Sequence, residues 1–270
     1  MNILFIGAHP DDCEVYGGGT AALFTALGHH VKFISVTNGD AGHHEMQGTE
    51  LVDCRSKESV AASQILNVSY EIMDNRDGQL EPSLHNRSRI IRRIRSWRAD
   101  IVITHRPNDY HPDHRYTSQL VQDAAYMVMV PNIAPGVAPL RKNPLFLYFQ
   151  DHFQKPYPFR PDIAVNIDDV FEQKIKALDA HSSQFYDWLP WIEGKTKEVP
   201  KGESERLEWL KEQWPSTPNE EVKKALARWY GEAKAKEIKR AEAFEISEYG
   251  RKVTDEDIRE LFQMLPATTS

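Results

Sequence analysis

The chain has 270 residues, 40% of them hydrophobic, and six tryptophans, which is enough to fill the core of one large domain or of a domain with an appended lobe. Its formal net charge of −7 argues against nucleic acid or an anionic membrane as the main partner. The two cysteines, Cys13 and Cys54, belong to no CxxC pattern, so we expect no disulfide framework and a reducing, cytoplasmic setting. The apolar stretches are shorter than the ~18–20 residues of a membrane span, and the start lacks a basic signal-peptide region. We therefore expect a soluble protein.

Strand and helix patterns alternate along the first half of the chain. The run NILFIGA near the start is continuously apolar and ends beside a glycine, as is typical of a strand buried on both faces of a parallel sheet. Further apolar runs predict strands at 31–39, 69–74 and 100–105, and helical periodicity predicts helices at 18–28, 55–67, 84–97 and from near His114. This β-α-β-α order predicts a doubly wound α/β fold with a mostly parallel sheet.

The second half of the chain changes character. The segments PLFLYF at 144–149 and DIAVNI at 162–167 predict two more strands at an edge of the sheet, and 170–185 predicts a helix. Beyond about Pro190 the sequence is charged and contains glycine and proline, and it then becomes helical in pattern over 220–249 and again after a capping-box-like Thr254 and Asp257. We predict a domain at 1–188, followed at 189–270 by a charged linker and a helical C-terminal extension.

Two loops that follow predicted strands hold most of the ionisable chemistry. AHPDDCE at 8–14 follows the first strand, and HRPNDYHPDH at 105–114 follows the fourth. Because the carboxyl ends of parallel strands face one edge of the sheet, the two loops can meet. His9, Asp12 and His114 would then supply two imidazoles and one carboxylate to a divalent metal, and catalytic zinc sites use three protein ligands with a fourth position open to water.

The remaining polar residues of these loops suggest hydrolytic chemistry. Water bound to zinc has a pKa of roughly 7, and Asp11, which is adjacent to a ligand, is placed to take its proton. His111, one helical turn from His114, could protonate a leaving group or stabilise an oxyanion, and Asp113 could orient one of the imidazoles. Zinc is the expected metal, although Fe²⁺ or another divalent ion suits the same ligands.

Less specific interpretations compete with a metal site. An HxxD pattern alone is common in loops and helix N-caps, and many HxxH pairs lie in surface loops, so the joint placement after two buried strands decides in favour of the metal. The glycines at 17–19 suggest a dinucleotide-binding turn, but the GxGxxG spacing is missing, and we expect them to bring the helix close to the metal loop instead. A serine hydrolase would need GxSxG, which is absent, and Cys13 lies among acids that make it a poor nucleophile.

The paired motifs AHPDDCE and HPDH together resemble the LmbE/PIG-L family of metal-dependent de-N-acetylases. The resemblance extends through TNGDAG, RSKESVAASQILN and KIKALDAHSSQ and covers roughly residues 1–185. It implies a Rossmann-like α/β sandwich and the hydrolysis of an N-acetyl group from an amino sugar, such as an N-acetylglucosamine conjugate. By motif position, the resemblance implies roles for seven residues: zinc ligands His9, Asp12 and His114, general base Asp11, oxyanion-stabilising or acidic His111 with its supporting carboxylate Asp113, and a sugar contact from Arg55.

Two other functions remain open at this point. The same site could hydrolyse a non-sugar amide or an ester, because the constellation prepares water for attack without selecting the acyl partner. A non-enzymatic protein could instead use the pocket to bind a sugar or a nucleotide. The expected partner is a small amino-sugar substrate, with no nucleic acid and no membrane, and the chain is a possible homo-oligomer through its helical extension.

Overall fold

A single seven-stranded sheet forms the centre of the protein, in a computed structural model that describes residues 1–267. The strand order is β3-β2-β1-β4-β5-β7-β6, in which β7 pairs antiparallel with both of its neighbours and all other pairs are parallel. The predicted α/β fold with a mostly parallel sheet is therefore confirmed. The strands are β1 (Asn2–Gly7), β2 (His30–Thr37), β3 (Ser69–Asn75), β4 (Ile101–Thr104), β5 (Leu145–Phe149), β6 (Ile163–Asn166) and β7 (Ala241–Ile246).

Helices cover both faces of the sheet. Along β1, Ile3 and Phe5 belong to the apolar core on one face, whereas Leu4 and Ile6 belong to the core on the other face. This alternation explains the continuous apolar run of β1, because both of its faces are buried. The helices are α1 (Asp12–Ala26), α2 (Gly48–Leu66), α3 (Leu84–Trp97), α4 (Pro112–Met127), α5 (Phe171–Asp179), α6 (Leu189–Ile192), α7 (Glu203–Gln213), α8 (Glu220–Tyr230), α9 (Glu232–Ala235) and α10 (Asp255–Leu261), with a π-helix at Ser183–Trp188.

The first helix begins earlier than the sequence pattern predicts. It starts at Asp12, so that part of the first loop forms its opening turn. A Cβ atom on Gly17 would collide with the ring of Phe5, and one on Gly19 would lie 2.9 Å from Ile167. The prediction that these glycines bring the helix to the metal loop was wrong, because they let α1 pack closely on the sheet.

The C-terminal region contributes a strand as well as helices. Its helices α7, α8 and α10 agree with the predicted extension, and the capping box of Thr254 and Asp257 is present. The prediction of helix across 220–249 was wrong over Ala241–Ile246, which forms β7 between β5 and β6. Pairing with two strands distant in sequence supplies the backbone partners that make this segment extended. The division into 1–188 and 189–270 stays a prediction, and positions 268–270 lie outside the described residues.

No helix within residues 1–267 combines the length and the hydropathy that crossing a bilayer requires.

Candidate active site

The two polar loops meet at the carboxyl edge of the sheet. β1 and β4 are neighbouring parallel strands, with Ile6 opposite Thr104, so the chain leaves both strands at the same level. The first loop then passes directly into α1, and the second passes into α4, whose N-cap is His111. Adjacent parallel strands therefore place residues about a hundred positions apart in one cluster.

The three predicted ligands converge on a common point. His9 Nδ1 lies 3.2 Å from His114 Nε2, and His114 Nε2 lies 3.4 Å from Asp12 Oδ1. The remaining separation, between His9 Nδ1 and Asp12 Oδ2, is 3.6 Å. All three residues are buried, and the most exposed of them, His9, has an exposed fraction of 9%. The assignment of these residues as metal ligands stays a prediction.

Asp12 is held by the backbone of its own loop. Its Oδ2 accepts hydrogen bonds from the N–H groups of Ala8 (2.8 Å) and His9 (2.7 Å), and it lies 3.1 Å from His105 Nε2. Burial disfavours the charge on Asp12, but the imidazoles of His114 and His105 outweigh burial and hold the pKa of Asp12 well below its usual range. The carboxylate is thus fixed through one oxygen, while the other oxygen faces His114.

Carboxylates occupy the outer nitrogens of both predicted imidazole ligands. His9 Nε2 lies 3.2 Å from Asp77 Oδ1 and 3.3 Å from Asp113 Oδ2, and His114 Nδ1 lies 3.0 Å from Asp109 Oδ1. A carboxylate on one ring nitrogen fixes the ring and directs the other nitrogen inward, as around many metal-bound histidines. The inner atoms, His9 Nδ1 and His114 Nε2, are those that converge.

Asp113 lies against a different histidine from the one that the resemblance implied. Its carboxylate accepts hydrogen bonds from the N–H groups of Gly78 (2.7 Å) and Leu80 (3.3 Å) and contacts His9. Its contact with His111 runs through the backbone, because the Asp113 N–H donates to His111 Nδ1 at 3.2 Å. The implied pairing of the Asp113 carboxylate with His111 was therefore wrong, whereas its position beside an imidazole agrees with the prediction.

His111 faces the cleft at the start of α4. Its ring meets the His9 ring edge-on with a centroid separation of 4.5 Å. Burial lowers the pKa of His111, and positive charge on His9 and His114 lowers it further. Because Nδ1 accepts the Asp113 N–H, the proton of a neutral ring resides on Nε2, which makes that nitrogen a donor.

Asp11 combines an unusual backbone with a buried carboxyl group. Its φ of 121° lies in the region that side chains rarely adopt, a conformation that costs about 1–3 kcal/mol and is concentrated at functional sites. Its Oδ2 lies 3.1 Å from Arg55 Nη2. Burial raises the pKa of Asp11 to about 6, and the Arg55 guanidinium opposes part of that rise. The loop therefore holds Asp11 beside the three predicted ligands, with its carboxylate paired with Arg55.

Arg55 lies beneath the first loop and is only 2% exposed. Its Nη2 also donates to the carbonyl oxygen of Pro10, so one guanidinium braces two consecutive residues of the loop. The predicted contact between Arg55 and the sugar stays a prediction.

Sequence reasoning missed several residues around the site. Asp77 follows β3, His105 follows β4, and Asp109 lies within the second loop, so their positions after strands were the available signal. His181, for which the sequence indicated packing or hydrogen bonding, is fully buried and lies 3.1 Å from Glu14 Oε1. Neither the loop acids nor this pair could be assigned partners without the tertiary structure.

The donor set fits a divalent cation. Among the described residues, three groups of side chains each bring one donor atom per residue within 4.8 Å of one another, and His9 or His114 belongs to every group. Imidazole nitrogen and carboxylate oxygen are ordinary ligands of zinc and iron. The groups are His9 with His111 and His114, Asp12 with His105 and His114, and His9 with Asp77 and Asp113. The predicted set of His9, Asp12 and His114 is not itself one of the three groups, and its members are divided between the first two.

Comparison with known proteins decides the family. The family described as PIG-L: GlcNAc-PI de-N-acetylase matches residues 4–125, which include both loops. A diacetylchitobiose deacetylase of Thermococcus kodakarensis is 31% identical over 206 residues, covering 70% of this chain and 74% of that protein. The chain belongs to the PIG-L family. The predicted family and the predicted enzyme class, a de-N-acetylase, are thereby confirmed.

Two further comparisons show the range of proteins that resemble this PIG-L family member. The solved structure of an N,N'-diacetylchitobiose deacetylase from Pyrococcus horikoshii has a TM-score of 0.68 and 26% sequence identity, covering 92% of this chain and 84% of that one. A 4-oxalmesaconate hydratase of Pseudomonas putida is 25% identical over 193 residues, covering 68% of this chain and 74% of that protein. These relatives are thus named for two reactions, the removal of an acetyl group and the addition of water to a substrate.

In this PIG-L family member the converging residues open into a cleft of about 540 Å³. His9, Asp11, His111 and His114 line its floor, and Trp188 lies on the rim. The Trp191 ring stacks with the rings of His44 and Trp188, with ring centroids 5.0 and 5.5 Å away and planes within 17°. Trp191 is 48% exposed and is not among the residues that line the cleft, so its ring packs beside the rim.

Proposed function

We propose that the protein is a metal-dependent hydrolase that removes the N-acetyl group from an amino sugar such as an N-acetylglucosamine conjugate. The observation that supports this function best is the convergence of His9, Asp12 and His114 on one point at the floor of a cleft, with Asp11 beside them. Its relatives named as deacetylases of acetylated sugars support the substrate class.

We assign His9, Asp12 and His114 as the ligands of one divalent metal, with zinc as the first candidate and Fe²⁺ or another divalent ion as alternatives. When bound, the metal would supply Lewis-acid polarisation of the acetamide carbonyl and would lower the pKa of water to roughly 7. Asp77, Asp113 and Asp109 orient the two imidazoles through their outer nitrogens.

Asp11 is the proposed general base. It lies next to a ligand in the chain, and Arg55 holds its carboxylate in one place, so it accepts a proton from the attacking water without needing to move.

His111 is the proposed group that acts on the acyl oxygen. With Nδ1 occupied by the Asp113 N–H, its Nε2–H donates to the oxygen that gains negative charge, and a donor fixed in advance stabilises that charge. Donation of that proton to the departing amine would require His111 to be protonated on both nitrogens. The amine therefore takes the proton that Asp11 received from water, and the sugar leaves as an amine while acetate remains.

Acetate release tests the proposed function. The purified protein is incubated with a panel of N-acetylated sugars, non-sugar acetamides and acetyl esters, and acetate is measured by mass spectrometry. We expect release from the acetylated sugars, loss of release with a chelator and recovery when zinc or Fe²⁺ is restored. Release from the esters or simple amides in preference to the sugars would contradict the proposed substrate.

The hydratase relative supplies a second candidate reaction to include. Its 25% identity covers 68% of this chain, and water prepared at such a site can add to an activated double bond. A tricarboxylic enol such as 4-carboxy-2-hydroxymuconate is therefore tested beside the sugars by loss of its ultraviolet absorbance. Hydration of that compound, together with no acetate from any sugar, would overturn the deacetylase.

A further inference from the structure

A second cavity of about 300 Å³ adjoins the catalytic cleft. Both cavities have volumes within or near the range of roughly 300–1,000 Å³ that is usual for small-ligand sites. The two share four lining residues, so a molecule whose reacting end lies over the cleft floor can extend into the second cavity. The shared residues are Val15, Tyr16, Tyr110 and Trp214.

The C-terminal region builds the outer wall of this second cavity. Gln213 ends α7, and the chain then continues through Trp214 to Thr217 before Asn219 caps α8. The Trp214 ring meets the Phe185 ring at a right angle, with centroids 5.4 Å apart, which fixes it at the junction of the two cavities. The matched family region, residues 4–125, contains none of this wall.

A buried ion pair at the base of the second cavity is already satisfied. Lys174 Nζ lies 2.8 Å from Glu242 Oε1 and donates to the carbonyl oxygen of Val15. Glu242 also accepts the N–H groups of Gly19 (2.9 Å) and Thr20 (2.7 Å). Both charged side chains are at most 4% exposed, so neither offers a free charge to a ligand.

Two further cationic side chains, Arg106 beside the second cavity and Arg55 in the catalytic cleft, are also paired with carboxylates. Asp151, which lines the second cavity, lies 2.7 Å from Arg106, and Arg106 is itself buried. In the catalytic cleft, Arg55 is paired with Asp11. Within residues 1–267, no Lys or Arg that lines either cavity lacks a carboxylate partner. An anionic ligand would therefore meet no unpaired Lys or Arg in the lining itself, and Arg240, which lies outside the lining, is engaged with Thr217 Oγ1 at 3.4 Å.

The remaining lining of the second cavity suits a neutral, hydroxylated molecule. Amide and hydroxyl groups both donate and accept hydrogen bonds, as sugar hydroxyls do, and aromatic faces pack on the apolar face of a sugar ring. Gln150, Gln213 and Thr217 supply the polar groups, and Phe153 and Trp214 supply aromatic surface. His152 is exposed and is the remaining titratable side chain apart from the tyrosines.

We propose that the second cavity binds a neutral sugar unit that is joined to the N-acetylated one, so that the preferred substrate is an uncharged oligosaccharide rather than an anionic conjugate. This inference rests on the proposed deacetylase function. In this proposal, residues Gln213–Asn219 and the ion pairs beside them determine which substrate is preferred. The residues of the two loops carry out the hydrolysis.

Matched substrates test the proposal. Acetate release is measured for N-acetylglucosamine, for its uncharged β-1,4-linked disaccharide, and for the same acetylated sugar linked to glucuronic acid. We expect kcat/KM for the neutral disaccharide to exceed that for each of the other two by at least about tenfold, because binding away from the reacting bond contributes to turnover. Equal values for all three, or a preference for the uronic acid compound, would overturn the proposal while leaving the deacetylase function intact.

Variants of Gln213 locate the effect in the second cavity. Gln213→Trp fills the cavity and should lower the preference for the disaccharide over the monosaccharide to near one, and Gln213→Lys should raise kcat/KM for the uronic acid compound several-fold. Gln119 is an exposed glutamine on α4, outside both cavities, and Gln119→Trp and Gln119→Lys are the matched controls, which should change neither ratio. Equal effects from the Gln213 and Gln119 variants would contradict the assignment.

Calorimetric binding separates the two hypotheses. The Asp11→Asn variant, which should bind substrate with greatly slowed turnover, is titrated with the neutral disaccharide and with the uronic acid compound. Tighter binding of the neutral disaccharide supports the second cavity even if no acetate is ever released, in which case the deacetylase function alone fails. Equal or weaker binding of the neutral compound overturns the cavity proposal.

Discussion

The two halves of the candidate site differ in how their polar groups are held. Around the loops at 8–14 and 105–114, the His and Asp side chains are buried or half-buried, and they contact one another or backbone N–H groups at 2.7–3.6 Å. Around the second cavity, the C-terminal side chains Gln213, Thr217 and Asn219 are exposed and uncharged. Charged groups stabilise a transition state best when they are held in place beforehand and are shielded from water. A wall of uncharged side chains can instead select a ligand while it remains exposed to solvent.

The two halves are nevertheless linked, and Glu242 supplies one of the links. Glu242 belongs to β7, in the C-terminal region, and it accepts N–H groups from α1, the helix that begins at Asp12. The strand β7 and the helix α1 therefore stabilise each other. Four substitutions test whether catalysis and folding stability can be changed independently of each other.

The largest expected effect is that of Asp12→Ala. It removes a proposed ligand and also the acceptor for the Ala8 and His9 N–H groups, so we expect metal content and acetate release to fall to background. Elemental analysis and the acetate assay measure both quantities. The control is Asp53→Ala, which removes an exposed aspartate from α2 and should leave both unchanged. A full metal content in Asp12→Ala would remove this residue from the ligand set.

Asp11→Asn should be next in size. We expect a loss of about 10²–10⁴ in kcat, which is the usual contribution of a general base, with the metal retained. Asparagine tolerates positive φ, so the loop conformation should persist. Activity close to that of the unchanged protein, at full metal content, would exclude Asp11 from the role of base.

Glu242→Ala tests the connection between the two halves. It leaves Lys174 buried without its partner and two N–H groups of α1 without acceptors, so the free energy of unfolding should fall by about 3–5 kcal/mol. Urea unfolding measures this change, and Glu248→Ala, at an exposed position just beyond β7, is the control. A stability equal to that of the control, together with cooperative folding of a chain ending at Trp188, would instead support a C-terminal region that is merely appended.

Asp109→Asn should have the smallest of the four effects. It weakens the partner on the outer nitrogen of His114, and loss of such a carboxylate usually reduces metal affinity or activity about 10–100-fold. Competition with a fluorescent zinc chelator gives the affinity, and Asp169→Asn, at an exposed position, is the matched control. Unchanged affinity and activity would show that His114 is oriented without Asp109.

Much of the sheet and the meeting of the two loops followed from local patterns. The apolar runs gave β1 to β6 to within a few residues, and α3 was predicted at its observed limits. β7 was missed because its pairing partners, β5 and β6, lie about eighty to a hundred residues earlier, and the local pattern of AEAFEI does not distinguish a strand from the helix that precedes it.

What the sequence by itself determined about this protein is its class, an α/β enzyme of the PIG-L family, and which polar residues follow the strands β1 and β4, because burial pattern and motif spacing are local properties. Only the tertiary structure decided which carboxylate contacts which imidazole, that Asp113 contacts His9, and that Arg55 braces Asp11. It also decided that the charges beside the second cavity neutralise one another. Such pairings depend on distances between segments far apart in the chain, and those distances are set by the packing of helices on the sheet.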